Sequence, residues 1–254
     1  MKAAAPLEQQ IEQAADLLRH ARYAVLLSGA GFSTPSGIPD FRSPAAGLWE
    51  HADPMEVASL TTFRRQPERF FEWFHPLARA VWDARPNPAH LAVAELEERG
   101  ILRAVITQNV DGLYQAAGAK NVCELHGSTR TLSCLACGRT VPSGRFFPAY
   151  LSEGALPRCP DCGAVLKPDI VFFEEMLPGD VWEEAVQHCS TCDLLLAAGS
   201  SLEVYPAAGL PQFARLNRAR LIINNRTPTH LDRYADLVIR EDLVRVIPAI
   251  AARL

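Results

Sequence analysis

Gly29-Ala-Gly-Phe-Ser-Thr-Pro-Ser-Gly-Ile-Pro-Asp-Phe-Arg42 follows directly on Tyr23-Ala-Val-Leu-Leu-Ser28. The apolar run reads as a buried strand. A strand that runs into Gly-x-Gly lets the backbone approach a pyrophosphate closely. An ordinary dinucleotide fingerprint would place a third glycine at position 34, where this chain has Thr34. Pro35, Gly37 and Pro39 also prevent one helix from running cleanly through the segment. The loop therefore continues into Asp40-Phe41-Arg42, which brings an acid, a ring and a cation to the cofactor. That is more than holding a nucleotide requires, and it points to chemistry on the nucleotide.

Working outward, Ile11, Ala14, Leu17, Leu18 and Ala21 fall on one helical face ahead of the first strand. Further strands are expected at 102–107, 122–125, 193–198, 220–224 and 235–239. Helical patterns lie between most of them, as at 90–99 and 206–216. This alternation predicts an α/β fold, a parallel sheet with helices on both faces. Ligands of such sheets bind outside the carboxyl ends of the strands. Those ends carry Gly29-Ala30-Gly31, Gln108-Asn109-Val110-Asp111, His126-Gly127-Ser128, Gly199-Ser200-Ser201 and Asn224-Asn225. Two stretches break the alternation. Residues 43–88 hold Trp49, Phe63, Phe70, Phe71, Trp73, Phe74 and Trp82 and read as a helical excursion over the cofactor, its rings mostly packing. Residues 127–170 are rich in Cys, Pro and Gly and read as a small inserted module.

Cys134-Leu-Ala-Cys-Gly138 and Cys159-Pro-Asp-Cys-Gly163 are matched corners with the spacing of a four-cysteine zinc ribbon. Four thiolates at Cys134, Cys137, Cys159 and Cys162 would close the coordination sphere of one zinc, so its role is structural. Such a site contributes about 10–16 kcal/mol to folding its module. Cys189 and Cys192 share the pair spacing but lack the following glycine, and they read as buried thiols. Cys123 reads as a strand core residue. Of the chain's 254 residues, 25 are basic and 29 acidic, a net charge of −4 that disfavours general nucleic-acid binding. The N-terminus leads into a charged amphipathic stretch, and no apolar run approaches the ~20 residues of a membrane span. Odd cysteine usage without a secretory signal suggests a reducing compartment, and the expected localisation is cytoplasmic.

His126 sits at a strand end beside a glycine, where a neutral imidazole can accept a proton from a sugar hydroxyl. The other histidines, including His90 and His188, read as surface or satisfied residues. No Ser/His/Asp or Cys/His nucleophile arrangement is evident. With these motifs assembled, the chain resembles the sirtuins, NAD-dependent protein lysine deacylases. The matching segments are 29–42, 107–113, 125–127, the two cysteine corners, 167–173 with 175–178, 199–202 with Val204 and Pro206, and 223–224. They span almost the whole chain.

The resemblance implies a Rossmann-like NAD-binding domain (1–35, 89–126 and 171–254), a helical cofactor and acyl flap (36–88) and a zinc-ribbon module (127–170). NAD and an acyl-lysine peptide would meet in the cleft. The acyl oxygen displaces nicotinamide, and the acyl group passes to ADP-ribose. His126 is implied as general base, with Asn109 and Asp111 orienting ribose and nicotinamide and Gln108 on the ribose. Ile38 and Asp40 would line the nicotinamide pocket, and Phe41 would shield the reactive carbon. Arg42, Ser33, Ser200 and the Gly29-Ala30-Gly31 amides would hold the phosphates, and Asn224 the adenosine ribose. Gly199, Ser201, Asn225 and Leu243 complete the implied cofactor set. Val171, Phe172 and Phe173 face Glu203, Val204 and Tyr205 as two edges between which the peptide adds as a strand.

Four positions depart from the family pattern: Tyr114 for His, Glu174 for Gly, Arg226 for an acid and Ser200 for Thr. Phe74 and Leu77 stand where succinyl- and malonyl-removing members have Tyr and Arg. Uncharged acyl groups, acetyl first, are therefore expected. The expected partners are acyl-lysine proteins, with no membrane, no direct nucleic acid and a monomeric chain. Two alternatives remain open at this point: a mono-ADP-ribosyltransferase, and a non-catalytic NAD- and zinc-binding interaction module. A dehydrogenase is disfavoured by Thr34 and by the absence of a substrate domain.

Overall fold

The computed structural model describes residues 5–40 and 52–254. A six-stranded sheet carries the fold. Its strands are β1 (Ala24–Ser28), β2 (Leu102–Thr107), β3 (Val122–Glu124), β7 (Leu194–Ala198), β8 (Arg220–Asn224) and β9 (Leu237–Ile239), in the order β3-β2-β1-β7-β8-β9. Every pairing is parallel. The order reverses between β1 and β7, which creates the crevice where α/β sheets bind ligands.

All five residues of β1 are buried, as a strand covered on both faces requires. Alternate residues serve different cores. Ala24 and Leu26 join Leu18, Leu96 and Ile247 on one face, whereas Val25 and Leu27 join Cys189, Leu210 and Ile223 on the other. The first face is covered by α1 (Leu7–His20), α5 (Pro88–Glu98) and α10 (Leu243–Ala251). The second is covered by α8 (Gly179–Thr191) and α9 (Leu210–Leu216). The helix expected over 206–216 is split, with a 3-10 turn at Ala207–Gly209 preceding α9. Pro211 lies in the first turn of α9, the place where a missing N–H costs least.

A second, antiparallel sheet is built from β4 (Gly127–Cys134), β5 (Thr140–Pro142) and β6 (Leu166–Ile170), with β4 central. α7 (Phe147–Glu153) packs beside it. Preceding α5 are α2 (Pro54–Val57), α3 (Leu60–Arg65) and α4 (Pro67–Asp83), and α6 (Leu113–Ala116) follows β2. One apolar cluster joins α3 and α4 to the small sheet through Phe63, Phe70, Phe71, Phe74, Leu132, Phe147, Tyr150 and Phe172. Phe70 stacks on Phe74 at 5.0 Å and lies 4.6 Å from Phe172. Each fully buried ring of this kind contributes about 1.5–3 kcal/mol. Trp82 is 42% exposed, yet its ring meets Phe147 edge-on at 6.1 Å; Trp49 lies outside the described residues. Among the described residues, no helix is long and apolar enough to cross a membrane.

Candidate active site

β1 ends in two 3-10 turns, Ala30–Phe32 and Thr34–Ser36, and not in a helix, as the prolines dictate. The turn lies against the end of β7. A Cβ at Gly31 would stand 2.9 Å from Gly199 O, and one at Gly199 would stand 2.6 Å from Phe32 N. Gly199 has φ +62°, a second reason for glycine there. The two turns thus touch backbone to backbone. Gly31 N–H donates to Gly199 O at 2.9 Å and Gly29 N–H to Ala198 O at 3.4 Å. These two amides are therefore engaged within the protein, contrary to the expectation that both would face phosphate.

A cavity of about 1090 Å³ opens at this switch point. Gly29, Ala30, Gly31, Ser33, Ile38 and Asp40 line it from the first turn, and Gln108, Asn109, Asp111 and His126 from the ends of β2 and β3. Gly199, Ser200, Ser201, Asn224, Asn225 and Leu243 line the opposite wall. Val171, Phe172 and Phe173 face the cavity with Glu203, Val204 and Tyr205, and Phe74 and Leu77 reach it from α4. Phe41 and Arg42 fall outside the described residues. Ser128 does not line the cavity; its hydroxyl accepts from Arg130 Nε.

The polar groups hold one another. Ser33 Oγ donates to Asp111 Oδ2 at 2.7 Å and accepts from Asn109 Nδ2 at 2.9 Å. Leu113 N–H caps Asp111 Oδ1 at 2.9 Å. Burial raises the Asp111 pKa above the ordinary carboxylate value, and the bonds from Ser33 and Leu113 oppose that rise. Gln108 Nε2 donates to Ser200 Oγ at 2.9 Å. Ser33 thus ties Asp111 to Asn109, and Gln108 reaches across to Ser200 on the opposite wall.

His126 Nδ1 lies 3.0 Å from Gln108 O. A carbonyl can only accept, so Nδ1 carries the hydrogen and the neutral ring keeps its lone pair on Nε2. Gly127 fixes the exit from this residue: its φ is +74°, and a Cβ would stand 2.0 Å from Asp169 O. On the far wall Asn224 is 1% exposed, with Nδ2 donating to Glu241 O at 2.9 Å. Its Oδ1 is buried without a hydrogen-bond partner in the protein. A cavity-lining acceptor of this kind suits a sugar hydroxyl.

Three charged side chains at or beside the cavity have partners that the sequence did not reveal. Lys167, 7% exposed at its side chain, pairs with Glu175 at 2.8 Å and donates to Ile170 O at 2.8 Å. Glu175 Oε2 in turn accepts from Phe172 N–H at 2.8 Å, so the pair fixes the strand edge 170–173. Glu174, at φ +73°, accepts the Thr61 N–H at 2.8 Å and so ties the edge to the start of α3. Arg226 lines the cavity and pairs with Asp242. Lys167 and Glu175 lie within the matched segments 167–173 and 175–178, and Glu174 and Arg226 are two of the departures from the family pattern; the partners of all four lay outside what a motif carries. Tyr114, the departure after Gly112, is buried between the rings of Phe32 and His90 and does not line the cavity.

The four ribbon cysteines converge. Cys134 and Cys162 sulfurs are 3.5 Å apart, Cys137 and Cys159 3.6 Å, and all four lie within 4.8 Å of one another. Tetrahedral zinc with bonds of about 2.3 Å requires sulfurs about 3.8 Å apart. Gly138 and Gly163 N–H groups close the corners onto Cys134 O and Cys159 O, each at 2.9 Å. Cys189 and Cys192 are fully buried and Cys123 nearly so, as expected.

Comparison with known proteins agrees with this geometry. The model of the Sir2 family matches residues 29–206. The NAD-dependent protein deacylase 2 of Archaeoglobus fulgidus is 44% identical over 245 residues, 96% of each chain. The NAD-dependent protein deacetylase of Sulfolobus acidocaldarius is 42% identical over 248 residues, 98% of this chain and 96% of that one. A solved structure of Sir2 with a p53 peptide and NAD+ superposes with TM-score 0.86 at 38% identity, covering 95% of this chain and 97% of the other. Another, from work on the mechanism and regulation of Sir2 enzymes, reaches TM-score 0.90 at 44% identity over 97% and 98%. Kinship along nearly the whole length, joined to the glycine turn and the cysteine tetrad, makes the chain a member of the Sir2 family.

Proposed function

We propose that the protein is an NAD-dependent protein lysine deacylase that passes the acyl group to ADP-ribose and releases nicotinamide. The observation that carries this reading is one cavity bounded by the Gly31–Gly199 contact, the Asn109–Asp111–His126 set and two opposed chain edges. The named relatives and the peptide- and NAD-bound neighbour support it. NAD supplies a sugar carbon that becomes electron-poor as nicotinamide departs. Asp111 and Asn109, pinned by Ser33, would stabilise that positive charge in a site shielded from water. His126 Nε2 would take the proton from a ribose hydroxyl, with Gln108 O holding the tautomer. The backbone contact at Gly31 and Gly199 lets a dinucleotide lie close to the chain, and Asn224 Oδ1 offers the adenosine ribose an acceptor. Peptide would lie between 171–173 and 203–205, where Phe173 (41%), Tyr205 (65%) and nearby Met176 (92%) expose apolar surface.

The four cysteines would hold one structural zinc that fixes the module 127–170, beside the flap 36–88 and the NAD-binding unit formed by the rest of the chain. Among the described residues, Phe70, Phe74, Leu77 and Val81 give the acyl end of the cavity an apolar lining without a cation. Uncharged acyl groups, acetyl first, therefore fit and succinyl does not. The net charge of −4 agrees with a protein that acts on proteins and not on nucleic acid. A monomer in the cytoplasm completes the reading. The test incubates purified protein and the His126→Ala variant with NAD and acetyl-, succinyl- and longer acyl-lysine peptides. Acetyl-lysine should be cleared only with NAD, succinyl-lysine far more slowly, and the variant should be inactive with its zinc retained. Full activity of the variant would remove His126 from the mechanism.

A further inference from the structure

A second cluster of metal-ligating groups lies outside the cavity. On α8, Glu184 and His188 stand four residues apart and share a face. The edge strand β3 brings Cys123 against that face. The Cys123 sulfur, a Glu184 carboxylate oxygen and a His188 ring nitrogen all lie within 4.8 Å of one another. None of the three residues lines the cavity.

The His188 ring is already oriented. Its Nδ1 lies 2.9 Å from Tyr23 OH, and its Nε2 faces Glu184 Oε1 at 3.7 Å. When Nδ1–H donates to the phenol oxygen, the lone pair sits on Nε2 and is directed at the cluster, the arrangement metal-binding histidines take from an outer partner. Accessibility is graded. Cys123 is 2% exposed and forms the floor, the His188 side chain is 12% exposed, and the Glu184 side chain is 54% exposed at the mouth.

We propose that Cys123, Glu184 and His188 form a second divalent-metal site that takes zinc through thiolate, carboxylate and imidazole, with water as fourth ligand. Sulfur and nitrogen donors select zinc over magnesium or calcium. Tetrahedral bonds of about 2.0–2.3 Å draw the donors roughly 1 Å closer than their widest separation here, a movement within reach of the exposed Glu184 side chain. On binding, three protein–zinc bonds replace bonds from water to the ion, and the Cys123 thiol proton passes to bulk solvent. Two anionic ligands then neutralise the dication. In the absence of metal, burial and then the neighbouring Glu184 push the Cys123 thiol up to about 12. Removing that proton costs affinity, and three protein ligands stand here against four at the ribbon, so this site fills second. The occupied site ties α8 to β3, three residues before His126.

The test titrates zinc-loaded full-length protein with zinc by calorimetry, and with cobalt(II) by absorbance. Expected is one zinc per chain as purified, a second equivalent on titration, and a thiolate-to-cobalt charge-transfer band. Glu184→Gln and His188→Gln should each weaken the second equivalent at least tenfold while the first stays bound. Cys123→Ser should abolish the charge-transfer band. Glu184 is at the surface, so its variant keeps the test valid should Cys123→Ser fail to fold. Binding that stops at one equivalent, or a second equivalent unaffected by both α8 variants, would overturn the proposal.

Discussion

Gly199→Ala tests whether the contact between the turns after β1 and β7 shapes the site. The new Cβ would stand 2.6 Å from Phe32 N, 2.8 Å from Gly31 C and 3.1 Å from Leu243 Cδ2. Two of those atoms are backbone and cannot rotate away. A side chain at φ +62° costs about 1–2 kcal/mol by itself, and forcing an extra carbon into a packed contact costs about 1–3 kcal/mol more. The sum is about 2–5 kcal/mol. Gly100→Ala supplies the comparison, since Gly100 has φ +72° and nothing within 4 Å of its Cβ. Its cost should be the backbone part alone, about 1–2 kcal/mol. Urea unfolding of both variants, with unchanged slope, isolates the steric part. Calorimetric titration with ADP-ribose then asks whether relieving the clash opens the turn after β1: affinity should fall for Gly199→Ala and hold for Gly100→Ala. Equal destabilisation of the two variants, with equal ADP-ribose affinity, would refute the claim that the backbone contact builds the site.

Two further predictions follow from buried ionisable groups. His90 is fully buried between Phe32 and Tyr114, and burial lowers its pKa from 6.5 to about 4. The unfolded chain takes up that proton near pH 6.5 and the folded chain only near pH 4. Stability is thus complete above pH 6.5 and falls by up to about 3 kcal/mol as pH drops through that window. His90→Gln should flatten the pH dependence between pH 6.5 and 4 measured by urea unfolding; an unchanged slope would count against it. Lys167→Met leaves Glu175 and the carbonyls of Pro168 and Ile170 without their cation, and should cost about 3 kcal/mol and weaken peptide binding. Adding Glu175→Gln should recover part of that stability, and a loss below about 1 kcal/mol in the single variant would contradict the role given to the pair.

Residues with strong local physics were legible from the sequence. Ala24–Leu27 is an unbroken apolar run, so its burial on both faces followed directly. The prolines at 35 and 39 foretold a turn without a helix, and the Cys-x-x-Cys-Gly corners foretold the tetrad. What remained hidden depended on distant partners. β4 is mostly polar, Gly-Ser-Thr-Arg-Thr-Leu-Ser-Cys, because only Thr129, Leu132 and Cys134 of it are buried, so no alternation marked it. The shared core of α4 and α7 rests on contacts such as Phe71 with Tyr150, 79 residues apart. Glu174 reaches Thr61 across 113 residues. The engaged N–H of Gly31 could not be read from a motif, because its acceptor belongs to β7's end.

The central claim is that the ends of β1, β2 and β3 bring an NAD sugar carbon and an acyl oxygen together beside His126. The most direct measurement is mass-spectrometric analysis of the products formed from NAD and an acetyl-lysine peptide by the wild-type protein. One nicotinamide and one acetylated ADP-ribose are expected for every lysine freed. Free acetate with intact NAD, or ADP-ribose attached to the peptide, would contradict it.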